Sequence, residues 1–161
     1  MRILIASDTH GNDLTLERAI KECGHLDLLI HAGDVNQSED YIRAIAECPV
    51  QMIRGNNDFF TQLPAEKEFT VGEYKIFLTH GHTYCVNAGY ETIRREARAR
   101  EADIVIFGHT HRPLIEEKQD LIVLNPGSLS YPRQEGGKHT YILMKIDEKG
   151  KASFELKCVP R

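Results

Sequence analysis

The residues Ile104-Val105-Ile106-Phe107-Gly108-His109-Thr110-His111 decide the fold that this sequence predicts. Four apolar residues in succession indicate a strand buried on both faces, and Gly108 marks the point where the backbone turns away. Open α/β sheets hold their ligands just beyond the carboxyl ends of such strands. Because His109 and His111 stand at that position, the stretch predicts two metal-type ligands on a rigid base.

Polar side chains follow other apolar runs of the sequence in the same way. These runs are predicted as strands at 2–6, 26–30, 50–53 and 74–79. The polar residues just beyond them are Asp8, His10, Asp34, Asn56 and His80. Since ligands gather at the strand ends of α/β sheets, these side chains are expected to meet His109 and His111.

The order of the elements predicts an α/β fold. Helical patterns begin at Asp13 and cover about 38–47 and 88–100, and Asn12, Asp13 and Ser38 are candidate caps. The chain ends in hairpin strands at 140–146 and 152–159. A chain that begins βαβαβ and finishes with hairpins suggests two packed mixed sheets with helices outside. At 161 residues it is long enough for one full core and short for two, so 1–161 is predicted as a single domain.

The composition excludes several classes of protein. Hydrophobic residues make up 41% of the chain, and no apolar run approaches the roughly 20 residues of a membrane helix. The first seven residues resemble a strand rather than a signal peptide, so a cytoplasmic protein without membrane contact is expected. The four cysteines show no C-x-x-C spacing, which favours small buried hydrophobes over a zinc knuckle or a disulfide frame.

The types of candidate ligand indicate which metals the site would hold. Carboxylates, an amide and imidazoles without a thiolate suit divalent ions such as Mn²⁺, Fe²⁺, Co²⁺, Ni²⁺ or Zn²⁺. Seven ligands exceed what one ion takes, but they form two sets of four if one carboxylate bridges. That arrangement describes a two-metal site with ions ~3.5–4 Å apart, which activates water and clamps a phosphoryl group.

The ordered motifs resemble those of the calcineurin-like metallophosphoesterases. The matching segments are Asp8-Thr9-His10, Gly33-Asp34, Gly55-Asn56-Asn57-Asp58, Thr79-His80-Gly81-His82 and Gly108-His109-Thr110-His111. The resemblance spans about residues 3–128, and the Asn125-Pro126-Gly127-Ser128 segment is similar to the short, single-domain bacterial and archaeal phosphodiesterase branch. It implies a four-layer αββα sandwich of two mixed sheets flanked by helices.

The resemblance also implies a ligand set and a mechanism. One metal would take Asp8, His10, Asp34 and His111, and the other would take Asp34, Asn56, His80 and His109. Asp34 would bridge two divalent transition-metal ions, with manganese expected first and nickel, cobalt, iron or zinc as alternatives. A metal-bridging hydroxide would attack phosphorus in line with the leaving oxygen. Asp34, Asn56 and His109 are therefore the expected catalytic residues.

The position after the motif asparagine departs from many members of that family. They carry a histidine that steadies phosphate or protonates the leaving group, whereas this chain has Asn57, which delivers no proton at neutral pH. We therefore expect modest turnover that favours good leaving groups. The substrate-binding candidates are Asn57, Arg54 and His82, although Arg54 and Arg133 fit a surface salt bridge equally well and His82 fits a structural role. Asp58 is expected to orient a ligand as an acceptor.

Three functions remain open on the sequence. The first is a metal-dependent phosphodiesterase acting on a small phosphodiester. The second keeps the site but takes phosphomonoesters or nucleotides, and the net charge of −4 disfavours long nucleic acids without excluding them. The third is a metal-binding interaction scaffold like the retromer subunit of this fold, in which ligand positions are partly lost, whereas here none is lost. A homodimer is an open possibility for each of them.

Overall fold

The computed structural model describes residues 1–159 and contains ten strands and three helices. The strands are β1 (Arg2–Ala6), β2 (Leu28–His31), β3 (Val50–Met52), β4 (Glu66–Val71), β5 (Tyr74–Thr79), β6 (Ile104–Ile106), β7 (Leu114–Glu117), β8 (Ile122–Asn125), β9 (Thr140–Ile146) and β10 (Ala152–Cys158). The helices are α1 (Asp13–Cys23), α2 (Glu39–Ala46) and α3 (Glu91–Ala99), and a single 3₁₀ turn covers His82–Tyr84.

The strands form two mixed sheets of five strands each. The first sheet has the order β10-β9-β1-β2-β3, and the second has the order β4-β5-β6-β8-β7. Strands β1, β2 and β3 run parallel in the first sheet, as β5, β6 and β8 do in the second. Antiparallel strands complete both sheets. Each sheet therefore has an edge at which three parallel strands end together.

The hydrophobic core is divided by the two sheets. Along β1 the side chains alternate, so that Ile3 and Ile5 pack between the sheets while Leu4 packs under α1 and α2. Helix α3 covers the outer face of the second sheet, where Ile93 packs with Val105. Full burial of each such side chain contributes about 1.5–3 kcal/mol. The layers follow the order helices, sheet, sheet, helix, which confirms the expected αββα sandwich.

The predicted element boundaries differ from the observed ones at several ends. Strands 2–6, 74–79 and 140–146 are confirmed, while the strand predicted at 26–30 begins two residues later and the helix predicted at 88–100 begins at Glu91. Asn12 and Ser38 occupy N-cap positions, but neither side chain makes a capping hydrogen bond. The predicted caps were wrong because both residues adopt backbone angles outside the usual capping region.

The arginines of α3 do more than the sequence pattern indicates. Arg94, Arg95, Arg98 and Arg100 fit the pattern of a solvated helix face. In the structure, Arg94 pairs with Glu116 of β7 at 2.7 Å, and Arg100 pairs with Glu66 of β4 at 2.8 Å. The Arg100 guanidinium also lies 4.2 Å from the centre of the Phe77 ring. These arginines tie α3 to the edge strands of the second sheet.

The remaining architectural predictions concern membrane contact and domain number. None of the described helices is long and apolar enough to cross a lipid bilayer. Every described strand belongs to one of the two sheets, and the three helices pack on them. The single domain 1–161 stays a prediction, and residues 160 and 161 lie outside the described residues.

Candidate metal centre

The candidate ligands lie on loops that leave the parallel strands of both sheets. Asp8 and His10 follow β1, Asp34 follows β2, Asn56 follows β3, His80 follows β5, and His109 and His111 follow β6. One ligand atom from each of four residues lies within 4.8 Å of the others, and these residues are Asp8, His10, Asp34 and His111. The packing of two sheets thus brings side chains from both of them to one point.

The backbone at these residues is unusual. Five of them have positive φ angles, namely Asp8 (55°), His10 (48°), Asp34 (58°), His109 (65°) and His111 (57°). A residue other than glycine in this region costs about 1–3 kcal/mol, and it persists only when the surrounding structure determines it. The loops therefore hold the ligands in conformations that local preference alone would not select.

Two motif glycines leave room for the carboxylates. A Cβ atom on Gly55 would lie 2.1 Å from Oδ1 of Asp34. A Cβ atom on Gly108 would lie 1.9 Å from Oγ of Ser7 and 2.7 Å from Oδ2 of Asp8. Since any other residue would collide with these groups, the glycines permit the loop backbone to approach the cluster.

The two carboxylates are fixed by donors from neighbouring loops. Oδ2 of Asp8 accepts hydrogen bonds from Oγ of Ser7 at 2.6 Å and from the backbone N–H of His109 at 3.1 Å. Asp34 accepts from Asn57 twice, from its backbone N–H at 2.9 Å and from its side-chain amide at 2.7 Å. Oδ1 of Asp8 remains directed into the cluster.

Two histidines are oriented by backbone carbonyls. Nδ1 of His80 donates to the carbonyl oxygen of Ala32 at 2.7 Å, and Nδ1 of His111 donates to that of Tyr131 at 2.7 Å. A carbonyl oxygen only accepts, so the proton is on Nδ1 and a neutral ring keeps its lone pair on Nε2. A metal-binding histidine is commonly oriented in this way.

Two buried atoms of the cluster have no hydrogen-bond partner among the described residues, and they indicate a cation. Oδ1 of Asp8 and Nε2 of His80 are these atoms, and they lie 3.9 Å apart. Nε2 of His111 is 3.1 Å from the same Asp8 oxygen but lacks the alignment of a hydrogen bond. A buried, unsatisfied carboxylate oxygen is costly unless a charge compensates it. The donor set therefore fits a divalent ion.

Electrostatics within the cluster keeps both carboxylates ionised. Burial by itself raises the pKa of Asp8 and that of Asp34. The pKa of Asp8 is lowered by His111 and His80, and the pKa of Asp34 is lowered by His80 and Asn57. Both pKa values therefore fall below the usual range. Burial lowers the pKa of His80, and the neighbouring carboxylates more than reverse that effect. Ionised carboxylates are the form that binds a cation.

The seven predicted ligands are not assembled equally. Oδ2 of Asp34 lies 3.6 Å from Nε2 of His10 and 3.4 Å from Nε2 of His80. The His109 ring is 5.2 Å from that of His80, but Nε2 of His109 accepts from the Asn87 amide at 2.9 Å. Asn56 is exposed, and its side chain makes no hydrogen bond to another described residue. The structure thus brings five predicted ligands together, places His109 at the rim and leaves Asn56 outside.

Asp58 holds two of the ligand loops in place. Its carboxylate accepts from the backbone N–H groups of Asp34 at 2.8 Å, Val35 at 3.2 Å, Asn36 at 2.7 Å and Gly55 at 2.8 Å. It is buried and joins the loop after β2 to the loop after β3. The sequence interpretation of Asp58 as an orienting acceptor is confirmed, although it acts on the backbone of the ligands.

The segment Asn125-Pro126-Gly127-Ser128 connects the ligand loops of the two sheets. The side-chain amide of Asn125 donates to the carbonyl oxygen of Gly108 at 2.8 Å and to Oγ1 of Thr110 at 3.0 Å. Oγ of Ser128 donates to the carbonyl oxygen of Asp8 at 2.9 Å. The sequence pattern indicates a tight turn here first, and a role in shaping the substrate site second. The structure adds a buried connection between the loop after β1 and the loop after β6.

The candidate substrate contacts surround the cluster. His82 lies in the 3₁₀ turn with its ring 5.5 Å from that of His80, and its Nδ1 atom is buried without a hydrogen-bond partner among the described residues. Burial and the charges of His80 and Arg54 lower the pKa of His82. Arg54 is exposed and makes no ion pair with a described carboxylate. Asn57 instead donates hydrogen bonds to Asp34 and so helps to hold this candidate ligand in place.

Three residues with structural roles at the site could not be identified from the motifs. Ser7 holds Asp8, the carbonyl oxygen of Tyr131 orients His111, and Ser130 donates to the carbonyl oxygen of Asp8 at 2.8 Å. Ser7 adjoins a motif and is open to inference from sequence. Ser130 and Tyr131 reach the site from more than one hundred residues away from Asp8, and no local pattern marks them.

Comparison with known proteins gives a consistent result. The model of the calcineurin-like phosphoesterase superfamily domain matches residues 1–149. The "Probable metallophosphoesterase YsnB" of Bacillus subtilis is 35% identical over 134 residues, which are 83% of this chain and 78% of the relative. The "Probable metallophosphoesterase MJ0623" of Methanocaldococcus jannaschii is 33% identical over 138 residues, covering 83% of this chain and 70% of the relative.

Solved structures share the same fold. A conserved protein of Streptococcus pneumoniae, described as a predicted phosphoesterase, has a TM-score of 0.79 at 27% identity and covers 97% of both chains. Wild-type Vps29 of Entamoeba histolytica in complex with zinc has a TM-score of 0.77 at 22% identity, over 99% of this chain and 100% of that one. A structure described as a novel archaeal phosphodiesterase has a TM-score of 0.75 at 24% identity, over 98% of this chain and 100% of that one.

Proposed function

This chain belongs to the calcineurin-like phosphoesterase superfamily and is a metal-dependent phosphoesterase, and we propose that it hydrolyses small phosphodiesters at a dinuclear site. One observation carries the proposal. Two buried atoms that can coordinate a metal, Oδ1 of Asp8 and Nε2 of His80, have no hydrogen-bond partner among the described residues. They lie 3.9 Å apart in the cluster. Cations at this point would satisfy both atoms.

The proposed division of the ligands follows the two sides of Asp34. Asp8, His10, Asp34 and His111 would hold one ion, and their donor atoms already lie within 4.8 Å of one another. Asp34, His80, His109 and Asn56 would hold the other. Oδ2 of Asp34 lies within 3.6 Å of Nε2 of both His10 and His80, one from each proposed set, and this supports a bridging role for the carboxylate.

The residues of this chain would bind and orient a phosphate diester at that site. Bound divalent ions would supply an activated water nucleophile and neutralise charge on the phosphoryl oxygens. The carbonyl oxygens of Ala32 and Tyr131 keep the protons of His80 and His111 away from the cluster. Arg54 makes no ion pair with a described carboxylate, and its charge lowers the pKa of His82, so we assign it as the candidate contact for a second phosphate oxygen.

The position of Asn57 supports diesters with good leaving groups as substrates. Its amide donates to Asp34, and an amide has no proton to deliver at neutral pH. A substrate whose leaving oxygen carries negative charge without protonation would therefore react fastest. The shared fold of the archaeal phosphodiesterase agrees with a diester substrate without determining it.

The test compares bis(p-nitrophenyl) phosphate with p-nitrophenyl phosphate on chelator-treated protein. Mn²⁺, Ni²⁺, Co²⁺, Zn²⁺ or Mg²⁺ is then restored singly. We expect the diester to be cleaved faster, with Mn²⁺ or another transition metal required. Asp34→Asn should abolish the activity, and Asp120→Asn serves as the matched control because Asp120 is a surface residue whose ion-pair partner among the described residues is Arg98.

Three other results would contradict parts of the proposal. Faster cleavage of the monoester would assign the site to phosphomonoesters and contradict the proposed diester substrate. Metal binding without hydrolysis of either compound would favour the interaction scaffold. Activity that survives Asp34→Asn would contradict the bridging role of Asp34.

A further inference from the structure

A cleft beside the metal centre has walls of unusual composition. It encloses about 350 Å³ and shares three residues with the centre, namely His10, Asn57 and Asp58. This volume is at the lower end of the range for small-molecule sites, roughly 300–1,000 Å³. Because the cleft adjoins the cluster, whatever occupies it would be part of a molecule bound at the metals.

One wall of the cleft is an aromatic pair. Phe59 and Phe60 line it, and they are 78% and 86% exposed, more than any other large hydrophobic residue in the described part of the chain. Exposed aromatic rings next to a polar site indicate a surface that binds another group. Planar rings stack on such side chains.

Another part of the cleft wall carries two carboxamides. Asn36 and Gln37 line the cleft, both are exposed, and neither side chain hydrogen-bonds another described residue. A carboxamide offers both donors and an acceptor, which is the combination that recognises the edge of a nucleobase. The cleft therefore combines stacking surfaces with hydrogen-bonding groups.

Both walls are held in place by the same carboxylate. Asp58 directly precedes Phe59, and it accepts from the backbone N–H of Asn36 at 2.7 Å. The loop that carries the aromatic pair is also closed at its base, where the Arg54 N–H donates to the Pro64 carbonyl oxygen at 2.9 Å. The distance between the cleft and the ligand loops is thus fixed by the fold, although the rings themselves are exposed.

We propose that this cleft binds the nucleobase of a nucleotide diester whose phosphate is at the metal centre. The inference rests on the proposed phosphodiesterase function and names the class of substrate. The base would stack on Phe59 and Phe60, and the carboxamides of Asn36 and Gln37 would contact its edge.

The test uses two substrates that release the same chromophore. Thymidine 5′-(p-nitrophenyl phosphate) carries a base, whereas methyl p-nitrophenyl phosphate does not. We expect kcat/KM to be roughly tenfold or more higher for the thymidine ester, as expected for a stacked base. The double variant Phe59→Ala/Phe60→Ala should remove most of that advantage through KM and leave the methyl ester within about twofold.

Two further variants control the experiment. Phe59→Tyr/Phe60→Tyr keeps the rings and should keep the advantage of the thymidine ester. Leu156→Ala removes an exposed side chain from β10 and should leave kcat/KM unchanged for both esters. Equal kcat/KM for the two esters in the unchanged protein, or an advantage that survives the double alanine variant, would overturn the proposal. A change in sedimentation without a change in that ratio would also overturn it and assign the aromatic pair to a protein interface.

A binding measurement separates this proposal from the proposed activity. If neither ester is hydrolysed, the phosphodiesterase proposal fails, and calorimetry of Mn²⁺-loaded protein with thymidine 5′-monophosphate and ribose 5-phosphate still tests the cleft. Tighter binding of the nucleotide that is lost in the double alanine variant would support a base site. Equal binding of both compounds, or no effect of the variant, would overturn it.

Discussion

The two halves of the candidate metal centre differ in how completely their proposed ligand atoms are already brought together. On the side of Asp8 and His111, the donor atoms already converge, are buried and are held by hydrogen bonds from other loops. On the side of Asn56 and His109, the proposed ligand Asn56 is exposed and the proposed ligand His109 contacts Asn87. A site whose donors are already placed binds without the cost of ordering them. We therefore expect one tight and one weaker metal position.

The largest expected effect comes from a carboxylate of the assembled side. Asp8→Asn replaces a charged ligand atom that has no hydrogen-bond partner among the described residues. Diester hydrolysis should fall by more than about 100-fold, because even a residue that only supports a ligand costs about 10–100-fold when lost. Steady-state kinetics at saturating Mn²⁺ measures this loss. A fall of less than tenfold would contradict the assignment of Asp8 as a ligand.

Asn56→Ala tests the other side of the comparison. Because Asn56 is exposed and not placed in advance, its loss should cost about tenfold, mainly as a higher Mn²⁺ concentration for half-maximal activity. Titration of activity with Mn²⁺ in both variants provides the measurement. If Asn56→Ala costs as much as Asp8→Asn, the two sides are equally assembled during turnover and the comparison fails.

Metal binding itself should proceed in two steps. The first equivalent of Mn²⁺ would bind the assembled side, and at 100 times its dissociation constant it would add about 2.7 kcal/mol to the free energy of unfolding. For a chain of this size the melting temperature would rise by about 5–10 °C. Calorimetric titration joined with thermal melts measures both steps. A single binding event with two equal sites would contradict the expected difference.

Asp58→Asn tests how the ligand loops are supported. It removes an anion that accepts four backbone N–H groups and leaves some of these buried donors without a partner. We expect a loss of about 1–3 kcal/mol in the free energy of unfolding, measured in urea. Asp120→Asn is the matched surface control and should stay within about 0.5 kcal/mol. Equal stability of the two variants would show that the backbone contacts of Asp58 contribute little.

Ser130→Ala should have the smallest effect. The carbonyl oxygen of Asp8 also accepts from Ser128, so it keeps one donor after the substitution. The expected cost is about 0.5–1.5 kcal/mol with nearly unchanged activity. Removing both serines together should cost more than the sum of the single changes, as a double-mutant cycle would measure. Additive losses would show that the two donors act independently.

Much of the fold and of the ligand set can be predicted from the sequence because each ligand directly follows an apolar run. The runs predict the strands, and the ends of parallel strands meet at one edge. His10 and His80 were predicted in this way, and the structure brings both to Asp34. The orientation of adjacent side chains is harder to predict. The motif predicts a turn at this position, but it does not predict which of Asn56 and Asn57 faces the cluster.

Contacts between distant segments could not be predicted. Asn125 is the last residue of β8, but its contacts with Gly108 and Thr110 depend on how β6 and β8 pair. The salt bridge of Arg94 with Glu116 likewise depends on α3 lying beside β7. Such contacts follow from the arrangement of whole elements, which local periodicity does not encode.

The convergence of His10 and His111 also has a consequence for the unfolded chain. Their Nε2 atoms lie 3.5 Å apart although 101 positions separate the residues in sequence. An ion held by both would act as a reversible cross-link that closes a loop of this length. In the chain-entropy description, a covalent link across about 100 residues disfavours the unfolded ensemble by about 4.7 kcal/mol. A metal held by both histidines would therefore raise the free energy of unfolding, in the same direction as a disulfide bond between the two sheets would.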